Sequence, residues 1–126
     1  MTNGLNKSFT ASNPFKRIAN AFKYSKAGLQ SAVQTEAAFR QDLFLFTIST
    51  IIGFVAFGLS IKAFVILCVG VLLLIAELIN TAIEYVVDRI GTERHELSGK
   101  AKDVGSAIVL LTLFILIVTW AGALLF

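Results

Sequence analysis

The sequence predicts an all-α integral membrane protein, with three transmembrane helices behind an N-terminal amphipathic surface helix. Hydrophobic residues make up 56% of the 126 residues, and the mean hydropathy is +0.80. Soluble domains of this size do not have that composition. Long apolar runs dominate after residue 42, and the single proline, Pro14, lies before them. The basic residues gather at one end of those runs. Residues 1–126 therefore read as a single membrane domain. So short a chain crosses a bilayer only a few times. With little protein to enclose a polar site, it is expected to form an oligomer.

Residues 1–12 are polar and are expected to form a mobile tail. They carry no apolar core with a cleavage site, so they do not read as a signal peptide. Asn13 and Pro14 then look like a helix start, with Asn13 as N-cap and Pro14 at the first helical position. Over residues 14–35, Phe15, Ile18, Ala19, Phe22, Leu29 and Val33 recur at helical spacing. Lys16, Arg17, Asn20 and Lys23 lie largely elsewhere around the wheel. This pattern predicts a basic amphipathic helix lying in the membrane interface.

Residues 43–60 form the first predicted crossing, which is short for a bilayer. Local thinning and snorkelling of Lys62 would accommodate it. A tight turn separates it from the second crossing, residues 63–87. A polar loop over residues 88–103 precedes the third crossing, residues 105–126, where Trp120 is expected to anchor at the interface. Ten of the eleven basic residues fall on one side of these crossings, and Lys62 alone on the other. The positive-inside rule makes the populated side cytoplasmic. The net charge of +3 is thus explained by the membrane face rather than by nucleic acid. Cys68 is the single cysteine, so no internal disulfide is possible.

The second crossing carries Glu77, Asn80, Thr81 and Glu84, and Asp88 follows. At about 100° per residue these five positions share one helix face, and Glu77 lies about 10 Å deeper than Glu84. An acid near the bilayer centre costs about 2.5–3.5 kcal/mol on insertion scales and marks a functional site by default. Phosphoryl transfer needs acids to hold magnesium, cations to neutralise phosphate, and a base or orienter for the attacking hydroxyl. Residues 36–42, the face from Glu77 to Asp88, and the segment 88–103 together contain each part.

Three segments carry a family resemblance: EAAFRQD from Glu36, ELINTAIEYVVDRIG from Glu77, and HELSGKAKDVGSA from His95. In this order they closely resemble the small prokaryotic integral-membrane diacylglycerol kinases, over roughly residues 15–120. The resemblance implies a homotrimer of chains with three membrane helices and one surface helix each, in the bacterial inner membrane. It implies phosphorylation of diacylglycerol from ATP, with Mg²⁺ as cofactor, at the cytoplasmic face. By position, Glu77 matches the catalytic base, and Glu36 and Glu84 match the metal-holding acids. Asn80 matches a polar residue beside the base. Lys102 and Asp103 match the pair at the nucleotide phosphates. Arg17, Tyr24, Glu93, Arg94 and His95 match further nucleotide contacts. Gln41 and Ser106, with Arg17, match positions near the lipid substrate. Two departures are local: Lys26 stands where the best-known member has Trp, and Asp42 where it has Glu.

Other signals are weak. Residues 53–60 mimic the spacing of a phosphate-binding loop but lack its lysine and lie within a predicted crossing. Three rival readings remain. An undecaprenol kinase would use the same machinery on another lipid alcohol. A proton or cation carrier would need a polar path to both faces, and residues 63–76 hold no ionisable group. A pure assembly module would leave the acids unexplained.

Overall fold

The computed structural model describes residues 13–126, so the tail expected over residues 1–12 lies outside the described residues. Four helices follow in order: α1 (Pro14–Thr35), α2 (Ala37–Phe57), α3 (Ile61–Ile90) and α4 (Glu96–Leu125). Two compact units divide the chain, one ending at Ser31 and the other running from Ala32 to Phe126. The last three helices are each long and apolar enough to cross a membrane.

The first unit holds most of α1. Asn13 starts it as the sequence predicts: its Oδ1 accepts from the Phe15 amide at 3.1 Å, satisfying one of the orphan donors of the first turn. Phe15, Ile18 and Phe22 are exposed, as the apolar face of an interfacial helix must be to enter lipid.

The second unit is built around α3, which packs against both α2 and α4. Ile66 and Leu73 are its fully buried large side chains. Leu73, Val69 and Leu116 form a core cluster, with Val109, Leu113 and Trp120 packed around it. Helix α2 comes close to α3 because Gly70 has no side chain. A Cβ there would sit 2.7 Å from Cδ2 of Phe46. Gly58 ends α2 with φ +62° and ψ −158°, a conformation essentially restricted to glycine, and Leu59 and Ser60 complete the turn into α3.

The helices differ from the predicted crossings at their polar ends. Helix α4 starts at Glu96, so most of the polar segment 88–103 is helical and only residues 91–95 connect α3 to α4. Charge made residues 96–103 look like a loop. They are instead the hydrophilic first turns of a long helix.

Two far-end side chains also behave differently from expectation. Trp120 turns inward rather than anchoring at an interface: its Nε1 donates to the buried Ser49 Oγ at 2.7 Å, joining α4 to α2. Lys62 does not simply snorkel. Its Nζ donates to the Ala123 carbonyl at 3.1 Å, satisfying an orphan acceptor near the end of α4, and lies 5.4 Å from the Phe57 ring centroid.

Candidate active site

The polar face of α3 grades from buried to exposed. Glu77, Asn80 and Thr81 are buried, at 5%, 8% and 5% exposure, Glu84 is half-buried and Asp88 is exposed. Below Glu77, the buried residues of α3 are Ala63, Ile66, Val69, Gly70, Leu73 and Ala76, all small or apolar. The site is therefore open towards the α3–α4 connection and sealed towards the opposite end.

One chain alone buries Glu77. This corrects the expectation that neighbouring chains are needed to cover it: α2 and α4 flank α3 and leave the residue 5% exposed.

Asn80 links the levels of the site. Its Nδ2 donates to Glu84 Oε1 at 3.3 Å, one turn along the helix. Its Oδ1 is buried without a donor and lies against Gly105 of α4, where a Cβ would collide with it. An unsatisfied buried acceptor costs about 1–3 kcal/mol, and such an atom calls for a functional explanation.

Glu36 is a single extended residue between α1 and α2, with φ −101° and ψ 112°. Arg40 Nη1 donates to the Val33 carbonyl at 3.0 Å and so satisfies an acceptor at the end of α1. The Glu36 carboxylate is held by two hydroxyls. Tyr85 Oη donates to Oε1 at 2.6 Å, and Thr35 Oγ1 donates to the same oxygen at 2.8 Å. These bonds, Tyr85's first, hold the Glu36 carboxyl below its usual range, so it is ionised at neutral pH. The sequence reading missed Tyr85. An aromatic near the end of an apolar helix gives no sign of a carboxylate partner that lies 49 residues away in the chain.

The connection between α3 and α4 forms an open groove of about 410 Å³, lined in part by Asp88, Glu93, Arg94, His95 and Lys102. Four residues assigned to the nucleotide are thus brought together. His95 is the N-cap of α4, and its Nδ1 accepts from the Leu97 amide at 3.2 Å. Lys102 Nζ lies 2.6 Å from Asp88 Oδ1. A helix N-terminus with adjacent cations suits phosphate oxygens. Asp103 and Ser106 are exposed on α4, and neither lines this groove. Gln41 is exposed on α2, while Arg17 and Tyr24 belong to the first unit and are exposed there.

The family model for prokaryotic diacylglycerol kinase matches residues 23–124. The chain belongs to the prokaryotic diacylglycerol kinase family. It is 46% identical over 109 residues to the diacylglycerol kinase of Haemophilus influenzae, covering 86% of this chain and 92% of that one. Against the Escherichia coli K12 diacylglycerol kinase it is 43% identical over 106 residues, covering 84% and 87%. Against that of Pseudomonas aeruginosa it is 44% identical over 120 residues, covering 93% and 95%. The chain is thus a multi-pass membrane protein of this diacylglycerol kinase family, and the α3 face, the Glu36 junction and the α3–α4 groove all lie within the matched segment.

Proposed function

We infer that the protein is an ATP-dependent lipid kinase that converts diacylglycerol to phosphatidic acid at the cytoplasmic face of the bacterial inner membrane. The observation that carries this reading is the buried carboxylate of Glu77, set beneath a polar face that opens towards the α3–α4 groove, where Arg94 and Lys102 stand among Asp88, Glu93 and Glu96. A hydroxyl placed at Glu77 loses its proton to the carboxylate as its oxygen attacks the γ-phosphorus of ATP. The bond from that phosphorus to the β-phosphate oxygen breaks, and ADP leaves. Lys102, Arg94 and His95 supply donors for nucleotide phosphates, in company with Glu93 and Asp103. The family resemblance assigns Arg17 and Tyr24 of α1 to the nucleotide as well. Gln41 and Ser106 are assigned to the lipid headgroup. The acyl chains stay in the bilayer, so the protein need only bring headgroup and nucleotide together.

Mg²⁺ fits the residues present. Glu36 is ionised and uses one carboxylate oxygen for both of its hydrogen bonds, leaving Oε2 for a hard cation. Glu84 accepts from Asn80 through Oε1 alone. Mg²⁺ binds through one or two carboxylates and completes its shell with water and phosphate. Glu36 and Glu84 would hold it, and its charge would offset that developing on the phosphoryl oxygens.

A homotrimer belongs to the same proposal, supported by the family resemblance. The carrier reading loses support from the wholly apolar buried face of α3 between Ala63 and Ala76. Purified protein in lipid vesicles should consume ATP only when diacylglycerol is present. ATP consumption that is independent of any lipid alcohol would overturn the reading.

A further inference from the structure

We propose that Tyr85 is a positioning residue for the metal site, fixing the carboxylate of Glu36 through its phenolic hydroxyl. The inference rests on the reading of Glu36 as a metal-holding acid.

Three oxygens meet here, and both hydroxyls donate to the same carboxylate oxygen. Tyr85 Oη lies 2.6 Å from Glu36 Oε1 and 2.8 Å from Thr35 Oγ1, and Thr35 Oγ1 lies 2.8 Å from the same Glu36 oxygen. The first distance is in the range of a charge-assisted bond. Glu36 has particular need of such a partner. It is an isolated extended residue between two helices, and as N-cap of α2 its side chain accepts no bond from that helix. Without these bonds its carboxylate is free to take several rotamers, each losing side-chain entropy when a cation is bound.

Tyr85 reaches across from α3, one residue after Glu84. The bond therefore ties the junction carrying one proposed metal acid to the helix carrying the other. It also decides which oxygen is left over: both hydroxyls point at Oε1, so Oε2 is presented. Partners that orient a metal-ligating group in this way fix its geometry, and losing one costs about 10–100-fold in affinity. A tyrosine at a helix end is ordinarily an interfacial anchor with its hydroxyl in water. Here Tyr85 is 47% exposed, yet its hydroxyl donates to the Glu36 carboxylate.

The test is Tyr85→Phe, which removes the hydroxyl and keeps the ring. Mn²⁺ binding in the presence of ADP, read by electron paramagnetic resonance on protein in micelles, should weaken about tenfold, the lower end of what losing such a partner costs. In parallel, the Mg²⁺ constant for turnover should rise more than kcat falls. In a Glu36→Gln background, Tyr85→Phe should add nothing to either readout. Wild-type Mn²⁺ binding by Tyr85→Phe, with binding weakened by Glu36→Gln, would overturn the role of Tyr85 alone. Unchanged Mn²⁺ binding in both variants would overturn the metal role of Glu36 and this inference with it. A lowered melting temperature with unchanged metal constants would make Tyr85 a structural residue only.

Discussion

Lys102 Nζ and Asp88 Oδ1 meet at 2.6 Å and tie the first turns of α4 to the end of α3. The pair lies on the wall of the α3–α4 groove, so the cation assigned to nucleotide phosphate already has a carboxylate partner. Phosphate must share Lys102 with Asp88 or take it over.

Lys102→Gln should therefore separate binding from folding. Both side chains are substantially exposed, at 40% and 61%, and an exposed ion pair contributes only about 0–1 kcal/mol. The melting temperature should hardly move, whereas KM for ATP should rise about tenfold, the worth of a charge-assisted bond to phosphate. A large loss of thermal stability with unchanged KM would assign Lys102 to the hairpin alone.

Gly105→Ala tests how closely α4 approaches the active face. The new methyl group would collide with Asn80 Oδ1, so α4 must shift or Asn80 must turn away from Glu84. Overpacking of this kind costs about 1–3 kcal/mol. Both the melting temperature and kcat should fall, and unaltered values of both would show that the contact is soft.

Glu36→Gln and Glu84→Gln keep the shape and remove the charge. Each should raise the Mg²⁺ concentration needed for half-maximal turnover, measured as ATP consumption across a magnesium titration. An unchanged magnesium requirement in both variants would take the metal away from this pair.

Chemical crosslinking in mild detergent at low protein concentration should trap trimers. A monomer mass for active protein, measured by a method that subtracts detergent, would remove the trimer. It would not disturb the cover of Glu77, which one chain provides by itself.

Much of this molecule was legible in its sequence because membrane helices are written in long apolar runs. The cap at Asn13 followed from its place before Pro14, and the shared face that holds Glu77, Asn80 and Thr81 from helical spacing. Hydropathy failed where helices leave the apolar layer. Residues 96–103 are charged and helical, and a reading by hydropathy made them a loop. Trp120 failed for another reason: Ser49, its hydrogen-bond partner, lies 71 residues away in the chain, and no local pattern announces it. Tyr85 is the same case at the site itself, since its partner Glu36 lies 49 residues away in the chain.

The central claim is a buried carboxylate that activates a lipid hydroxyl towards ATP. The most direct measurement supplies γ-labelled Mg-ATP with a panel of lipid alcohols to the wild-type protein and to Glu77→Gln, and counts label on each lipid. The account predicts label on diacylglycerol from the wild type, and a loss of about 10²–10⁴-fold in rate from Glu77→Gln protein that still inserts, the range of general-base catalysis. Label confined to undecaprenol would move the substrate to the other lipid alcohol. Wild-type turnover by correctly folded Glu77→Gln would contradict the account.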